Sequence, residues 1–221
     1  MKPEIAREIL SKVKLDYDTI AGEFSETRVV AWPEFEVFKS YLKPDMTIAD
    51  IGCGNGRLIA SLPNTTKYIG VDVSEKLLQQ AQKRHPDKTF ITGSLLEIPL
   101  GENSIDATFC IASLHHIPSY KLREKSVNEL YRITKPGEYV FITVWNLWQK
   151  KYLKNIIKAL FEKATFGPYE YNDLFISWQH KINRYYHAFT KRELRSLLEK
   201  KFTIEKIFTS HHNLIAICKK G

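Results

Sequence analysis

The chain has 221 residues, 43% of them hydrophobic and 26% charged, with 10 Gly and 9 Pro. That is room for one α/β domain with a substantial core, and it excludes a disordered, collagenous or low-complexity chain. The net charge of +8 is unevenly placed: residues 1–149 carry 18 Lys/Arg against 19 Asp/Glu, whereas residues 150–221 carry 15 against 6. A basic C-terminal stretch suits a polyanionic partner, whose counterions are released on binding, or else a solvated face. Cys53, Cys110 and Cys218 are dispersed without CxxC or His/Cys spacing, so neither a disulfide framework nor a zinc cage is expected and a reducing compartment fits best. No stretch reaches the roughly 18 apolar residues of a membrane span. Met1-Lys2-Pro3-Glu4 leads into no signal core, so a cytoplasmic protein is expected.

In chain order, Glu4 to Val13 and Pro33 to Leu42 read as helices covering a sheet or the mouth of a site. From residue 47 apolar runs alternate with helical patterns, the signature of βαβ units. Thr47 to Ile51 is a buried strand closed by Gly52-Cys-Gly-Asn-Gly56, and Arg57 to Leu62 a helix that Pro63 ends. Tyr68 to Asp72 is the second strand; Ser74 caps a helix whose apolar stripe is Leu77, Leu78 and Ala81. Thr89 to Thr92 and Ile105 to Ile111 are further strands, Lys121 to Ile133 is a helix stopping before Lys135-Pro-Gly137, and Glu138 to Trp145 is a fifth strand. Leu147 to Phe161 then reads as a basic amphipathic helix and Ala164 to Asn183 as an aromatic, turn-rich insertion. Thr190 and Glu193 make a capping box, and Phe202 to Phe208 and Asn213 to Cys218 bring the count to seven strands.

The chemistry sits at the first turn. A strand ending in Asp50, glycines at 52, 54 and 56, and a second strand ending in Asp72 form a nucleotide-binding constellation. Glycines permit a sharp turn and close approach of the backbone to an adenosyl group, while Asp72 can accept both ribose hydroxyls. Dinucleotide enzymes seat a pyrophosphate on the helix N-terminus, usually through G-x-G-x-x-G. Here the spacing is G-x-G-x-G preceded by an acid, which repels phosphate and suits a ligand bearing an ammonium and a sulfonium, S-adenosylmethionine.

Asp50, the glycine triplet, Asp72 and Leu95-Leu-Glu-Ile-Pro99 followed by Ile105-Asp106 together resemble the class I S-adenosylmethionine methyltransferases over residues 47–145. The resemblance implies a seven-stranded, mostly parallel Rossmann-like α/β sheet with helices on both faces and an N-terminal helical cover. One domain is expected: a cover (1–46), a cofactor-binding core (47–146), a basic and aromatic substrate-side insertion (147–189) and C-terminal helix and strands (190–221). It also implies that Tyr17, Asp50, Gly52, Cys53, Gly54, Asn55, Gly56, Asp72, Val73, Ser94, Leu95 and Ile111 bind the donor, with Ser94 standing where the family often has an acid for the adenine amine.

The turn after the fourth strand reads Ile111-Ala-Ser-Leu-His-His116, without the Asn/Asp-Pro-Pro-aromatic pattern of enzymes that methylate exocyclic amines. Cys110 lacks the cysteine-proline context of a covalent pyrimidine methylase and reads as core. Oxygen is the expected acceptor. A carboxylate is ionised at neutral pH, so it needs cationic and hydrogen-bonding groups to aim it but no general base.

A narrower resemblance rests on Tyr17-Asp-Thr-Ile-Ala-Gly-Glu-Phe-Ser-Glu-Thr-Arg28 with Trp32-Pro33, on Ile51 to Gly56, on His115-His116, and on Asp173-Leu-Phe-Ile-Ser-Trp178 leading into Arg184-Tyr-Tyr-His-Ala-Phe189. These resemble the tRNA wobble-uridine carboxymethyl methyltransferases across nearly the whole chain. The resemblance implies methyl-ester formation on a 5-carboxymethyl-type uridine of tRNA, with a small zinc-binding activator protein as partner. A small-molecule O- or C-methyltransferase, and a domain that binds without turnover, are the alternatives.

Substrate-side candidates follow. Arg28 is expected to grip a carboxylate or a phosphate, and Trp145 to stack a uracil or else pack in the core. In an extended segment Arg184 and Tyr186 share one face and Tyr185 and His187 the other; the first pair is favoured, with His187 available if the chain turns. His116 is the candidate for positioning the acceptor, with His115 structural. Lys150, Lys151, Lys154 and Lys158 read as a phosphate track or as solvated lysines. Trp32, Trp148 and Trp178 read as packing residues, and His211-His212 has no third ligand, so no metal is expected.

Overall fold

A computed structural model describes residues 1–28, 32–164, 168–210 and 212–221, with side chains of 160–164 left out; His211 therefore lies outside the described residues. Strands run in chain order β1 (Thr47–Ile51), β2 (Lys67–Asp72), β3 (Thr89–Thr92), β4 (Ile105–Ile111), β5 (Thr134–Trp145), β6 (Asp173–Trp178), β7 (Ile182–His187), β8 (Thr203–Ser210) and β9 (Asn213–Lys219). Seven of them form one sheet in the order β3-β2-β1-β4-β5-β9-β8. The first five strands pair in parallel and β9 runs antiparallel to β5 and β8, so the expected seven-stranded, mostly parallel sheet is present.

Period-two alternation builds a core on each face. Ala49, Ile51, Cys110, Val140, Ile142, Ala216 and Cys218 face one buried cluster, which Val127 and Leu130 of α4 (Tyr120–Ile133) and Leu194 and Leu197 of α6 (Lys191–Leu198) complete. Ile48, Phe109, Phe141, Ile215 and Ile217 face the other, where Phe35 and Phe38 cover them. Phe109 and Phe141 stack with centroids 4.6 Å apart. All three cysteines are buried and free.

The chain order reverses between β1 and β4, so the loops leaving these strands diverge and open a crevice, the usual ligand position of such sheets. Over it lies α1 (Pro3–Glu26), whose buried Ala6, Ile9, Val13, Ile20 and Ala21 recur at helical spacing. Ser74 caps α3 (Glu75–Arg84) by accepting from the Leu77 amide, and its own hydroxyl donates to Asp18 of α1 at 2.7 Å. Thr190 accepts from the Glu193 amide and caps α6 as expected.

Several local expectations are corrected. The first helix runs to Glu26, well past Val13. The Pro33–Leu42 helix shrinks to a 3-10 turn, Pro33–Phe35, and α2 (Glu36–Lys39). Arg57–Ser61 is a 3-10 turn, because Gly56 enters it in a left-handed conformation (φ 76°). Leu147 is buried ahead of any helix, and α5 (Leu153–Ala164) begins after a 3-10 turn at Lys150–Tyr152. β5 starts at Thr134, crossing the Lys135-Pro-Gly137 stretch through an irregularity in its pairing with β4. Within the insertion, β6 and β7 form a separate antiparallel hairpin. Among the described residues, no helix is long and apolar enough to cross a membrane.

Candidate functional site

A cavity of about 370 Å3 opens at the C-terminal ends of β1 and β4 beneath α1. Asp50, Gly52, Cys53, Gly54 and Asn55 line it from the first loop, and Asp72, Val73, Ser94, Leu95 and Ile111 from the next three strand ends. Tyr17 comes down from α1, Trp145 stands at the end of β5 and Arg184 on β7; Arg28 and His116 also line the cavity. Gly56 does not, and serves the turn instead, its amide donating to the Cys53 carbonyl at 3.0 Å. Asn55 lines it but spends its side-chain amide on the Ser25 and Arg28 carbonyls, pinning the end of α1 to the glycine loop.

One end of the cavity is acidic. Asp72 accepts the Gly54 amide at 2.8 Å and the Ser74 amide at 2.9 Å, which fixes its carboxylate beside the loop while leaving lone pairs for ribose hydroxyls. Asp50 accepts the Tyr68 hydroxyl at 2.8 Å through Oδ2, and its buried Oδ1 has no partner. Burial, with a smaller push from Asp72, raises the Asp50 pKa from 3.8 to about 7. An unpartnered buried carboxylate oxygen calls for a cationic or donor ligand group, so Asp50 fits the amino-acid end of S-adenosylmethionine and Asp72 its ribose.

The glycine loop fits the same ligand. Gly52 has φ +77°, and a Cβ there would lie 2.1 Å from Ser113 Oγ. Gly52→Ala is therefore expected to weaken S-adenosylmethionine binding at least tenfold and to lower the melting temperature, through left-handed strain of ~1–2 kcal/mol plus the clash. Gly22, exposed on α1 with nothing within 4 Å of an added Cβ, is the control. Gly22→Ala is expected to leave donor binding unchanged and to stabilise by about 1 kcal/mol. Calorimetric titration and thermal melts check both; unimpaired binding by Gly52→Ala would contradict this account of the loop.

Another part of the lining is cationic and aromatic. The Arg184 guanidinium is 4% exposed, lies 5.3 to 5.9 Å from the ring centroids of Tyr186, Trp145 and Tyr17, and donates to the Tyr17 hydroxyl at 3.3 Å. Among the described residues it has no ion-pair partner, and its Nε has no acceptor. The ring of Tyr186 does not line the cavity. It stacks behind Trp145 with centroids 5.1 Å apart, its buried hydroxyl unpartnered. The alternation along β7 follows the extended pattern: Tyr185 packs against Ile9 and Val13 of α1, and His187 turns away from the cavity.

His187 is spent in a network of its own. Nδ1 contacts Asp173 at 2.9 Å and Nε2 contacts Glu193 at 2.7 Å, so the two carboxylates hold an imidazolium and raise its pKa against burial, the largest influence, which lowers it. Asp173 also accepts the Tyr185 hydroxyl at 2.7 Å, and Arg123 pairs with Glu170 at 2.6 Å. Glu170, Asp173 and His187 stand close enough to share an ion, but these contacts already engage them. The network anchors the hairpin that carries Arg184.

The two adjacent histidines differ in a way sequence cannot show. Tyr185 O can only accept, so His116 Nδ1 carries a proton and donates to it at 2.8 Å, leaving Nε2 to accept the Tyr17 hydroxyl at 2.8 Å. Burial pushes its pKa down to about 3, and it is neutral. The Trp145 amide can only donate, so His115 Nδ1 accepts it at 3.1 Å and Nε2 carries the proton. His115, Phe24, Trp32 and Arg57 also line the cavity and were not singled out from the sequence as site residues. Arg57 lies over the Trp32 ring at 4.1 Å; burial and neighbouring Arg28 lower its pKa to about 10. Its position directly after Gly56 was the available signal.

Residues 49–142 match the family model described as a methyltransferase domain. A tRNA (carboxymethyluridine(34)-5-O)-methyltransferase of Arabidopsis thaliana is 36% identical over 65% of this chain, which spans only 34% of that relative's length. The Schizosaccharomyces pombe protein of the same name is 33% identical over 83% of this chain and 84% of its own. Among solved structures, a complex of the Haloferax volcanii Trm112 methyltransferase activator with a putative methyltransferase matches with TM-score 0.67 at 15% identity, over 94% of this chain and 97% of that one, a likeness of fold. With a third of the aligned residues identical along most of the length of both proteins, the chain belongs to the S-adenosylmethionine-dependent family of the tRNA (carboxymethyluridine(34)-5-O)-methyltransferases.

Proposed function

We propose that this chain methylates a carboxylate oxygen of a 5-carboxymethyl-type uridine at the wobble position of tRNA, giving the methyl ester. The observation that carries this reading is Arg184, a buried guanidinium with no carboxylate partner among the described residues, on the wall of the cavity that Asp50 and Asp72 also line. A buried unpaired charge is costly unless a ligand completes it, and a planar fork suits a carboxylate. S-adenosylmethionine supplies an electrophilic methyl group on a sulfonium. The chain's own residues then hold and aim the acceptor. His116 is neutral with both ring nitrogens engaged, so it is no general base. An acceptor already ionised at neutral pH needs none. Trp145, half-buried on the wall, offers its ring to a base, with stacking worth about 1–3 kcal/mol.

Arg28 is reassigned. It lies close enough to Arg57, and Arg57 to Asp50, for their charges to act on one another. Paired opposite charges at one end of a cavity suit the zwitterionic amino-acid end of the donor, so Arg28 is placed there and not on the substrate carboxylate or a phosphate.

Two partners belong to this reading. Exposed Lys150, Lys151 and Lys154 surround the start of α5, whose Ile156 packs in the cluster that holds Trp145 and Tyr186, giving a basic rim behind the base-stacking wall for tRNA phosphates. A small zinc-binding activator is the second, supported by the Haloferax complex of like fold. The test is incubation with labelled S-adenosylmethionine and tRNA carrying or lacking 5-carboxymethyluridine. Base-labile label on the modified nucleoside is expected, falling with added salt; label in small metabolites alone would reject the reading in favour of a small-molecule methyltransferase.

A further inference from the structure

His115 is fully buried, lines the cavity, and is fixed in one tautomer by the Trp145 amide on Nδ1. Its Nε2–H has no acceptor among the described residues. The nearest rings, His116 at 4.5 Å, Tyr186 at 5.1 Å and Trp145 at 5.9 Å between centroids, offer no carbonyl or carboxylate to take that proton. A buried N–H without a partner is rare in a native protein, and a ligand group is the economical explanation when the residue lines a ligand cavity. His116, by contrast, has no free valence for a substrate, since Tyr17 and the Tyr185 carbonyl occupy both nitrogens.

The geometry points to His115, and not His116, as the imidazole that binds the methyl acceptor, donating its Nε2–H to the carboxylate that Arg184 also holds. The inference rests on the carboxylate reading above and deepens it. Arg184 and His115 flank the same stacked Trp145–Tyr186 pair and are close enough for the guanidinium charge to act on the imidazole. Both present donors only: a guanidinium has no acceptor, and in this tautomer neither does the free side of the ring. Two neighbouring donors without acceptors fit the lone pairs of a carboxylate. They confront an exocyclic amine with N–H against N–H, so the pair selects oxygen over nitrogen acceptors. Because His115 stays neutral, it orients the carboxylate without adding a second full charge that would hold the attacking oxygen back.

The test compares His115→Asn, which keeps an acceptor for the Trp145 amide but removes the distal donor, with His115→Gln, whose amide N–H reaches towards the Nε2 position. Expected for His115→Asn is a 10- to 100-fold loss in kcat/KM on carboxymethylated tRNA with S-adenosylhomocysteine affinity unchanged by calorimetry, and for His115→Gln recovery of at least a third of the wild-type value. Independently of turnover, 15N-edited NMR of the whole protein should show His115 as the Nε2–H tautomer. That proton should shift downfield on addition of an anticodon stem-loop bearing 5-carboxymethyluridine, but not one bearing unmodified uridine. Wild-type kcat/KM in His115→Asn, equal impairment in both variants, or an indifferent Nε2–H resonance would overturn the inference while leaving carboxyl methylation standing. Failure of the wild-type enzyme to methylate the carboxymethylated tRNA would instead overturn the reading itself, and this assignment with it.

Discussion

Replacing Arg184 by Met is expected to lower kcat/KM for carboxymethylated tRNA by 100- to 1,000-fold while changing S-adenosylmethionine affinity less than threefold. Truncating one member of a buried, hydrogen-bonded charge pair costs about 2–5 kcal/mol, largely because the other charge is left stranded. Here that other charge is the substrate carboxylate. In the free protein the guanidinium makes do with three aromatic faces and the Tyr17 hydroxyl, and its Nε is orphaned. Cation–π contacts compensate only partly for desolvation. The same substitution is therefore expected to leave the melting temperature of the ligand-free protein unchanged or higher, the trade-off of a group kept for function at the expense of the fold. Arg184→Lys should fall between, retaining charge but not the planar fork. Steady-state kinetics with saturating donor, calorimetry and thermal melts provide the readouts. Near-wild-type kcat/KM in Arg184→Met would place the carboxylate elsewhere.

The parts of the molecule that could be read in advance are those whose physics is local. Ile48, Ala49 and Ile51, and Ile105, Ala107, Phe109 and Cys110, place apolar side chains on both sides of the sheet because both faces are covered. Gly52 and Gly56 are glycines because their φ angles are +77° and +76°. What escaped depended on distant partners or atypical turns. α1 continues past Val13 because Asp16, a polar residue in sequence, is buried by pairing with Lys12 at 2.6 Å, and Lys12 also donates to the Asn183 carbonyl of the hairpin. The β6–β7 hairpin turns through Gln179 and His180, with φ of 48° and 58°. Such left-handed pairs are normally announced by Asn-Gly or Asp-Gly, and Gln-His gives no such signal. The unequal roles of His115 and His116 were invisible for a further reason. Each tautomer is set by a backbone group from a remote segment, Trp145 N in one case and Tyr185 O in the other.

Affinity for S-adenosylmethionine is expected to fall roughly tenfold between pH 8 and pH 6, with up to one proton released on binding near neutrality. Asp50 carries this dependence. Burial lifts its carboxyl to about 7 in the free protein, Asp72 adding to the lift and the Tyr68 hydroxyl opposing it. The sulfonium of the donor stays charged across this range, its ammonium through most of it, and both favour the ionised carboxylate. Binding therefore pulls the Asp50 pKa down, and below about 7 each pH unit costs close to a factor of ten, as linkage requires. The fold responds in the opposite sense. A carboxyl whose folded pKa lies above its unfolded value of 3.8 contributes stability at low pH that is lost as pH rises through about 7. The shift corresponds to roughly 4 kcal/mol at most. Asp50→Asn, isosteric and uncharged, should therefore raise the melting temperature of the ligand-free protein at pH 8. It should also bind the donor about 100-fold more weakly at that pH and abolish the pH dependence between 6 and 8. Titration calorimetry in buffers of differing ionisation enthalpy reads the proton directly. If affinity were flat from pH 6 to 8 with no proton released, Asp50 would already be ionised in the free cavity, and some other group would have to be its unseen counter-charge.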